Sequence, residues 1–265
     1  MEYLKEEIHT FSKFDILCFS ETNCNIEKLP NGVDDIVIDG FYEPFLKVPT
    51  RKSGKGGGLA IYVNKNLSDP EKLETFDLNL DPEDKSGEFQ FLKIHDCKNT
   101  NKTKVIANFY RSPSRDTSKF LNLLGVVLRG LDRHSRKHIS FYGDANIDLI
   151  KYDTDLFSQQ LIDTLANYGF VQTISKPTRI TDRSATLIDH VYSNNIENTV
   201  SSNVITLDLS DHLATLTTIK LSTRPHNLSN TRHKGGPRGR YMSNNTRVIN
   251  EANNLVFKEL LEGEQ

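Results

Sequence analysis

The chain has 265 residues, with 33 Lys and Arg against 35 Asp and Glu, so its formal net charge is −2. This balance excludes a uniformly basic nucleic-acid-binding protein. Hydrophobic residues make up 36% of the chain, which is enough for a sizeable core, and no run of them approaches the length of a membrane span. The charged start MEYLKEE is unlike a signal peptide, and three cysteines without a CxxC pair suit a reducing compartment. We therefore expect an intracellular protein without a disulfide framework.

Apolar patterns along the chain predict an α/β protein in which strands outnumber helices. A short helix is expected over residues 1–12, and helical spacing of apolar residues predicts two more, over 116–131 and 153–168, with Gly169 ending the last. Strands are predicted in 14–21, 34–41, the end of 51–64, 88–94, 104–110, 139–142, 170–174, 187–193, 202–208 and 214–221. This order of elements suits a sandwich in which sheets pack together and helices cover the outside.

The composition changes near residue 222. Residues 222–247 contain no acidic side chain and little apolar periodicity, which predicts a flexible basic linker. Residues 248–263 have the pattern of a short amphipathic helix belonging to something further downstream. We therefore divide the chain into a domain over 1–221 and a linker with a short helix over 222–265.

Polar side chains follow several of the predicted strands at the point where each strand ends. The stretch ISFYGDANIDLI (139–150) places Asp144 and Asn146 directly after an apolar run. A simple turn is one interpretation, because Gly, Asp and Asn are typical turn residues. The other is a catalytic site, since α/β folds place their chemistry at the carboxyl ends of strands. Further strand-end candidates are Glu21, Tyr110, Asp211 and His212.

Asp189 is the polar residue that is hardest to explain as part of a loop. It lies among Leu187, Ile188 and Val191, and a carboxylate in such surroundings is rarely buried without a partner. His212 is a candidate partner that is distant in sequence. An Asp–His pair can orient or deprotonate a water, and carboxylate oxygens are ligands that Mg²⁺ prefers. These residue types together predict a metal-dependent site for phosphate chemistry.

Five short motifs now carry a resemblance to a known superfamily. They are ET (21–22), YRSP (110–113), GDAN (143–146), TLIDHV (186–191) and SDH (210–212). Their order and approximate spacing are similar to those of the endonuclease/exonuclease/phosphatase superfamily, which has the fold of pancreatic deoxyribonuclease. The runs GGGLAIYV and KPTRIT…SATLIDHVYSN resemble the endonuclease domain of non-LTR (LINE-type) retrotransposons, which nicks target DNA to prime reverse transcription. The resemblance covers about residues 10–220.

The resemblance implies a deoxyribonuclease-I-like four-layer α/β sandwich of two packed mixed β-sheets flanked by helices. It also implies a Mg²⁺-dependent DNA endonuclease, with Mn²⁺ able to substitute, that acts in the nucleus on DNA. The implied partners are DNA and, through a downstream reverse transcriptase domain, element RNA; the isolated domain is expected to be a monomer that does not bind membranes. The family pattern has an opening strand with an Asn before the first helix, and we expect this strand to be missing here.

The resemblance also implies roles for individual residues. Glu21 and Asp211 would be metal ligands, Asp144 would orient or activate the attacking water, and His212 paired with Asp189 would stabilise the transition state or act as base. The scissile phosphate would be contacted by Asn146, Tyr110, Thr186 and Arg111. The glycine-rich loop lacks the P-loop pattern and carries Arg51, Lys52 and Lys55. These side chains would either contact the DNA backbone or simply solvate the loop, and the sequence favours neither role.

Two alternatives remain open at this stage. An apurinic repair endonuclease or a phosphatase of small phosphate esters would use the same fold, because substrate choice lies in the loops. A catalytically inactive DNA-binding module derived from such an element belongs to a different class. The family's usual Phe between the Asp and Asn of the GDAN motif is Ala145 here, which reduces packing but leaves the directions of both neighbours unchanged.

Overall fold

The computed structural model describes residues 11–49, 57–95, 103–134, 138–207 and 210–219. Two α-helices lie in these ranges, α1 (Thr117–His134) and α2 (Leu156–Ala166). Neither described helix is both long enough and apolar enough to cross a bilayer. The strands are β1 (Ile16–Ser20), β2 (Phe45–Lys47), β3 (Leu59–Val63), β4 (Leu73–Thr75), β5 (Glu88–Ile94), β6 (Lys104–Tyr110), β7 (Ile139–Asp144), β8 (Val171–Gln172), β9 (Arg179–Thr181), β10 (Ser184–Thr186), β11 (Asp189–Ser193), β12 (Thr199–Ile205) and β13 (Ala214–Ile219).

The strands form two main sheets. The larger has six strands in the order β4-β5-β6-β7-β11-β8, and the smaller has three in the order β1-β3-β2. Only the β6–β7 pair of the large sheet is parallel, so this sheet is mixed, and α1 makes the crossover between those two strands. The β9–β10 and β12–β13 pairs are separate antiparallel hairpins.

The alternating directions of the side chains along the strands show how the layers pack. Ile61 and Val63 of β3 join Leu92 and Ile106 of the large sheet in the core between the sheets. Ala60 and Tyr62 point the other way, into a second apolar cluster that contains Phe11. On the far face of the large sheet, α1 and α2 cover a third cluster that is rich in stacked phenylalanine rings. The predicted sandwich of packed mixed sheets with helices outside is confirmed.

The two predicted helices are also present, with small shifts at their ends. The side chain of Asp155 caps α2 by accepting a 2.8 Å hydrogen bond from the Ser158 amide. The predicted strand over 34–41 is wrong: a short 3-10 turn spans Gly32–Asp35, and only an isolated bridge joins Phe41 to Asn64. Ile38 and Phe41 are buried in the Phe11 cluster, so part of the apolar pattern reflects core burial without strand pairing.

The β9–β10 hairpin was not predicted, because its short strands are polar and almost fully exposed. The expected strand over 170–174 is shorter than predicted and covers only Val171–Gln172. The predicted linker and helix over 222–265, and all but the last two residues of the helix predicted over 1–12, lie outside the described residues.

Candidate active site

Strand register places three of the expected site residues side by side. Tyr110, the last residue of β6, is the register partner of Asp144, the last residue of β7. Asp144 is in turn the partner of Asp189, the first residue of β11. Residues that face each other across strands project from the same side of a sheet. The motifs YRSP, GDAN and TLIDHV therefore meet at one edge of the large sheet. Asp144, at the end of β7, lies there between Tyr110 and Asp189.

Asp144, Asp189 and His212 form a group of potential metal ligands. Among the described residues, one ligand atom from each of the three lies within 4.8 Å of those from the other two. Nδ1 of His212 is 2.9 Å from Oδ2 of Asp189, so the histidine provides the partner that the buried carboxylate requires. The half-buried pair lies where the SDH motif passes the start of β11.

Asp144 has an unusual electrostatic environment. It is only 4% exposed, and burial, followed by the neighbouring charge of Asp189, raises its pKa from 3.8 to about 7. A hydrogen bond from the Asn146 amide and the proximity of His212 act in the opposite direction. The hydrogen bond that the His212 ring donates to Asp189 raises the pKa of His212. The site can therefore hold or release a proton near neutral pH.

Asn146 is bound tightly to Asp144 and adopts a left-handed backbone conformation with φ 50°. Its amide donates to Oδ1 of Asp144 at 2.7 Å, and its Nδ2 donates to Oδ2 of the same carboxylate at 2.9 Å. Nδ2 also donates to the Arg111 carbonyl at 2.8 Å. Asn tolerates this conformation better than most residues, which is why the strand can turn sharply here. The GDAN segment is thus a fixed loop that orients both oxygens of Asp144.

Arg111 does not occupy the position expected of a phosphate contact. Its side chain is buried, and Nε donates to the Ala145 carbonyl at 2.6 Å while Nη2 donates to the Asn146 carbonyl at 2.7 Å. Nη1 donates to the carbonyls of Arg115 at 2.8 Å and Ser112 at 3.4 Å. Burial lowers the pKa of the guanidinium. The phosphate or DNA contact predicted for Arg111 is therefore replaced by a structural role, in which it holds the GDAN loop.

Glu21 and Tyr110 lie beside this group. Glu21 follows β1 with φ 55°, an uncommon conformation for a residue with a long side chain, and is exposed. Burial, followed by the nearby charge of Glu21, raises the pKa of Tyr110. No described residue meets the buried Tyr110 hydroxyl with hydrogen-bond geometry. Glu21 is not a member of the 4.8 Å ligand group, so it borders the site from the small-sheet side.

Asp211, expected as a metal ligand, is placed differently. Its Oδ2 accepts hydrogen bonds from Nε of Arg179 at 2.9 Å and from Nη2 of Arg179 at 2.6 Å. The side chain is 62% exposed and lies outside the ligand group of Asp144, Asp189 and His212. Its guanidinium partner already neutralises the carboxylate, and the hydrogen bond from Arg179 lowers its pKa. The predicted metal role of Asp211 is thus not supported by this geometry.

The remaining predicted contacts differ in how far the structure describes them. Thr186 is half-buried at the end of β10, and its carbonyl accepts a 2.8 Å hydrogen bond from the Thr178 amide. It therefore lies on the hairpin that borders the site. Arg51, Lys52 and Lys55 lie outside the described residues.

Thr178 is a residue that the sequence analysis did not identify. It is fully buried, and its Oγ1 accepts hydrogen bonds from the amides of Ile188 at 3.2 Å and Asp189 at 3.0 Å. Its carbonyl accepts another from the Leu213 amide at 2.6 Å. Thr178 thus joins the segments that carry Asp189 and His212. The sequence analysis includes Thr178 only as part of the KPTRIT run, because hydrogen bonds to residues about ten and thirty-five positions away leave no local pattern.

The donor set of the site fits a divalent cation. Asp144 and Asp189 offer carboxylate oxygens, and the Glu21 carboxylate faces the same space from the other sheet. Hard oxygen donors of this kind suit Mg²⁺ or Mn²⁺, which commonly bind one or two carboxylates and keep several waters. A bound cation would also relieve the repulsion that raises the pKa of Asp144.

Comparison with known proteins gives a family match and several similar folds. A family model described as the endonuclease/exonuclease/phosphatase family matches residues 1–212. None of the curated proteins compared with the chain matched it. The endonuclease domain of TRAS1, a telomere-specific non-LTR retrotransposon, is similar in fold, with a TM-score of 0.61 and 18% identity over 84% of this chain and 95% of that one.

Two other solved structures share the fold at lower identity. One is a mannosyl-6-phosphatase of Bacteroides thetaiotaomicron, with a TM-score of 0.53 and 14% identity over 80% of this chain and 88% of that one. The other is D. rerio TDP2 complexed with a single-strand DNA product, with a TM-score of 0.52 and 12% identity over 83% of this chain and 90% of that one. The fold is thus shared by a phosphatase and by a protein complexed with a DNA product. Because the family model matches most of the sequence, the chain belongs to the endonuclease/exonuclease/phosphatase family.

Proposed function

We propose that this protein is a Mg²⁺-dependent endonuclease that hydrolyses phosphodiester bonds and nicks target DNA for retrotransposon integration. The observation that carries the proposal is the close group of Asp144, Asp189 and His212 at the sheet edge, with Tyr110 and Glu21 beside it. The similarity in fold to the TRAS1 endonuclease domain favours a DNA-nicking role over the other activities of the family.

Glu21 and Asp144 are the residues that would hold the cation. When bound, Mg²⁺ neutralises phosphate charge and stabilises negative charge on the leaving oxygen. The buried Tyr110 hydroxyl lies within reach of Glu21 and Ser112 but meets no described residue with full hydrogen-bond geometry, so it could donate to a phosphate oxygen. Glu21 and Tyr110 would thus meet the scissile group from the two sheets.

His212 would act through its second ring nitrogen. Because Nδ1 lies 2.9 Å from Oδ2 of Asp189, the ring is held with its Nδ1 proton toward that carboxylate. This leaves Nε2 to exchange a proton with a water or with a phosphate oxygen. The hydrogen bond to Asp189 raises the pKa of the ring, which favours a proton there when negative charge develops.

Asp144 would orient or activate the attacking water. Asn146 holds both of its oxygens through the amide and Nδ2, so the carboxylate cannot rotate freely. This rigidity is the kind of preorganisation that places a reacting water along a defined direction. In this arrangement both Nδ2 hydrogens of Asn146 are donated, one to Asp144 and one to the Arg111 carbonyl, so a phosphate contact from this side chain would replace one of these hydrogen bonds.

Nicking of supercoiled plasmid, with Mg²⁺ and with EDTA, tests the proposal. Asp144→Asn, Asp189→Asn and His212→Ala should each lower the rate by about 10²-fold or more, as expected for residues that move protons or hold the cation. Asp153→Asn, an exposed carboxylate change in the loop before α2, is the matched control and should nick at the wild-type rate. Metal-independent nicking, or full activity of Asp144→Asn, would contradict the proposal.

Phosphomonoester hydrolysis is a second candidate, favoured by the likeness in fold to the mannosyl-6-phosphatase. A small sugar phosphate, an abasic duplex and an intact duplex offered at equal concentration would separate these activities. The proposed endonuclease nicks the intact duplex fastest. DNA binding without hydrolysis of any of the three substrates would instead indicate an inactive DNA-binding module.

A further inference from the structure

The glycine-rich run that precedes β3 is held by a buried carboxylate from the other sheet. The Gly58 amide donates to Oε2 of Glu88 at 2.6 Å, and Glu88 is 6% exposed. Gly57 and Gly58 have φ of 102° and 87°, which L side chains rarely adopt. A Cβ on Gly57 would lie 2.9 Å from Oε1 of Glu88, so glycine at that position lets the turn pass close to this carboxylate.

The same glycine turn receives the segment that carries Glu21. The amides of Thr22 and Asn23 donate to the carbonyls of Gly58 at 3.1 Å and Gly57 at 2.9 Å. A Cβ on Gly58 would lie 2.6 Å from Oγ1 of Thr22. The residues that follow Glu21 are therefore fastened to the turn by two hydrogen bonds, and this fixes the left-handed backbone of Glu21 itself.

Glu88 also lies in register, across neighbouring strands, with Tyr110 and Asp144 of the candidate site. It is the register partner of Tyr110, which is the partner of Asp144. Glu88 thus begins β5 in the large sheet, whereas the turn that it binds leads into β3 of the small sheet. Through this contact one carboxylate sets the distance between Tyr110 on one sheet and Glu21 on the other.

We propose that Glu88 is a positioning residue that sets Glu21 against Tyr110 through the Gly57–Gly58 turn, and so determines how well the site holds its cation. This inference rests on the proposed function for the role of Glu21 as a metal ligand. The hydrogen bonds that link Glu88, the turn and the residues after Glu21 do not depend on that function. Glu88 acts through hydrogen bonding without touching the cation, because its carboxylate is directed to the Gly58 amide. It also lies outside the group of Asp144, Asp189 and His212.

Two substitutions of Glu88 separate hydrogen bonding from charge. Glu88→Gln keeps an oxygen that can accept from the Gly58 amide, whereas Glu88→Ala leaves that buried amide without this acceptor. In Glu88→Ala, the Mg²⁺ concentration for half-maximal plasmid nicking should rise about tenfold, the size typical of residues that orient metal ligands. The rate at saturating Mg²⁺ should fall much less, and Glu88→Gln should restore the wild-type metal dependence.

A second readout needs no activity. Hydrogen exchange of the Thr22 and Asn23 amides, followed by NMR in EDTA, should be about fivefold faster or more in Glu88→Ala, as expected when the turn that pairs them is loosened. In Glu88→Gln it should match the wild type. This measurement tests the positioning of Glu21 even if the protein proves to hydrolyse another phosphate ester.

Gly58→Ala disturbs the same turn from its other side, with Gly40→Ala as the matched control. Both glycines have a positive φ, 87° and 84°, but a Cβ on Gly40 meets nothing within 4 Å. Gly58→Ala should reproduce the exchange and Mg²⁺ effects of Glu88→Ala, and Gly40→Ala should not. Unchanged exchange in Glu88→Ala, or a Glu88→Gln variant as impaired as Glu88→Ala, would overturn the proposal.

Discussion

Nδ1 of His212 lies 2.9 Å from Oδ2 of Asp189, although 23 residues separate the two along the chain. Thr178 joins their two segments, with its hydroxyl bound to the Asp189 amide and its carbonyl bound to the Leu213 amide. The pairing therefore depends on a third, buried residue as well as on the side chains themselves. Substitutions at such buried, closely packed positions should therefore change stability or titration measurably.

Asp189→Asn should lower the pKa of His212. The hydrogen bond to a charged carboxylate is the largest cause that raises this pKa, and an amide oxygen accepts a weaker bond from the ring. An NMR titration of the His212 ring, in EDTA, measures the change. The ring of His95, whose partner is Glu74 on a distant strand, serves as an internal control. An unchanged His212 titration would contradict the assignment of Asp189 as its main partner.

Arg111→Ala should destabilise the fold by about 3 kcal/mol, because charge-assisted hydrogen bonds to the carbonyls that shape the GDAN loop are lost together. Urea denaturation measures the difference in unfolding free energy. Arg129→Ala, an exposed change on α1, is the control and should alter stability by less than about 0.5 kcal/mol. A DNA-contact role for Arg111 would instead weaken DNA binding and leave stability unchanged.

Gly143→Ala should destabilise the protein severely, by about 4 kcal/mol or more, because the backbones of two central strands must move apart to make room for the new methyl group. A Cβ at this position would lie 1.9 Å from the carbonyl oxygen of Phe109, its register partner on β6. Gly169→Ala, where φ is 76° but nothing lies within 4 Å, should cost only about 1 kcal/mol. Similar thermal midpoints for the two variants would show that β6 and β7 do not approach as closely as described.

His190 and Asp144 should affect stability in opposite directions between pH 4 and 6.5. Burial lowers the pKa of His190 from 6.5 to about 4, so its contribution is present above pH 6.5 and is lost as pH falls toward 4. Burial and Asp189 raise the pKa of Asp144 from 3.8 to about 7, so its contribution is present near pH 4 and is lost as pH rises toward 7. In the wild type these two contributions largely cancel.

Single variants should reveal each contribution. Relative to the wild type, Asp144→Asn should lose up to about 3 kcal/mol of unfolding free energy between pH 6.5 and 4, because it lacks the stability that the wild type gains as Asp144 is protonated. His190→Gln should change in the opposite direction over the same range. Urea denaturation in EDTA at several pH values measures both, and differences from the wild type remove the common effect of other carboxylates. Parallel curves for all three proteins would contradict the assignment.

The sequence by itself determined the types of the long, strongly patterned elements. Runs such as 104–110 and 139–142 are recognisable because apolar periodicity is a local property. Helix α2 was predicted for the same reason, since its cap and its apolar spacing lie within a few residues of each other. The order of the five motifs then identified the family.

Only the tertiary structure decided which polar residues meet. The row formed by Tyr110, Asp144 and Asp189 depends on strand order and register, which sequence spacing does not specify. Arg111 turns inward and Asp211 turns to Arg179 because unpaired carbonyls and an exposed guanidinium lie within reach only after the chain has folded. Glu88 reaches Gly58 across two sheets for the same reason. Contacts between residues far apart in sequence are set by the packing of whole elements, and no local pattern encodes them.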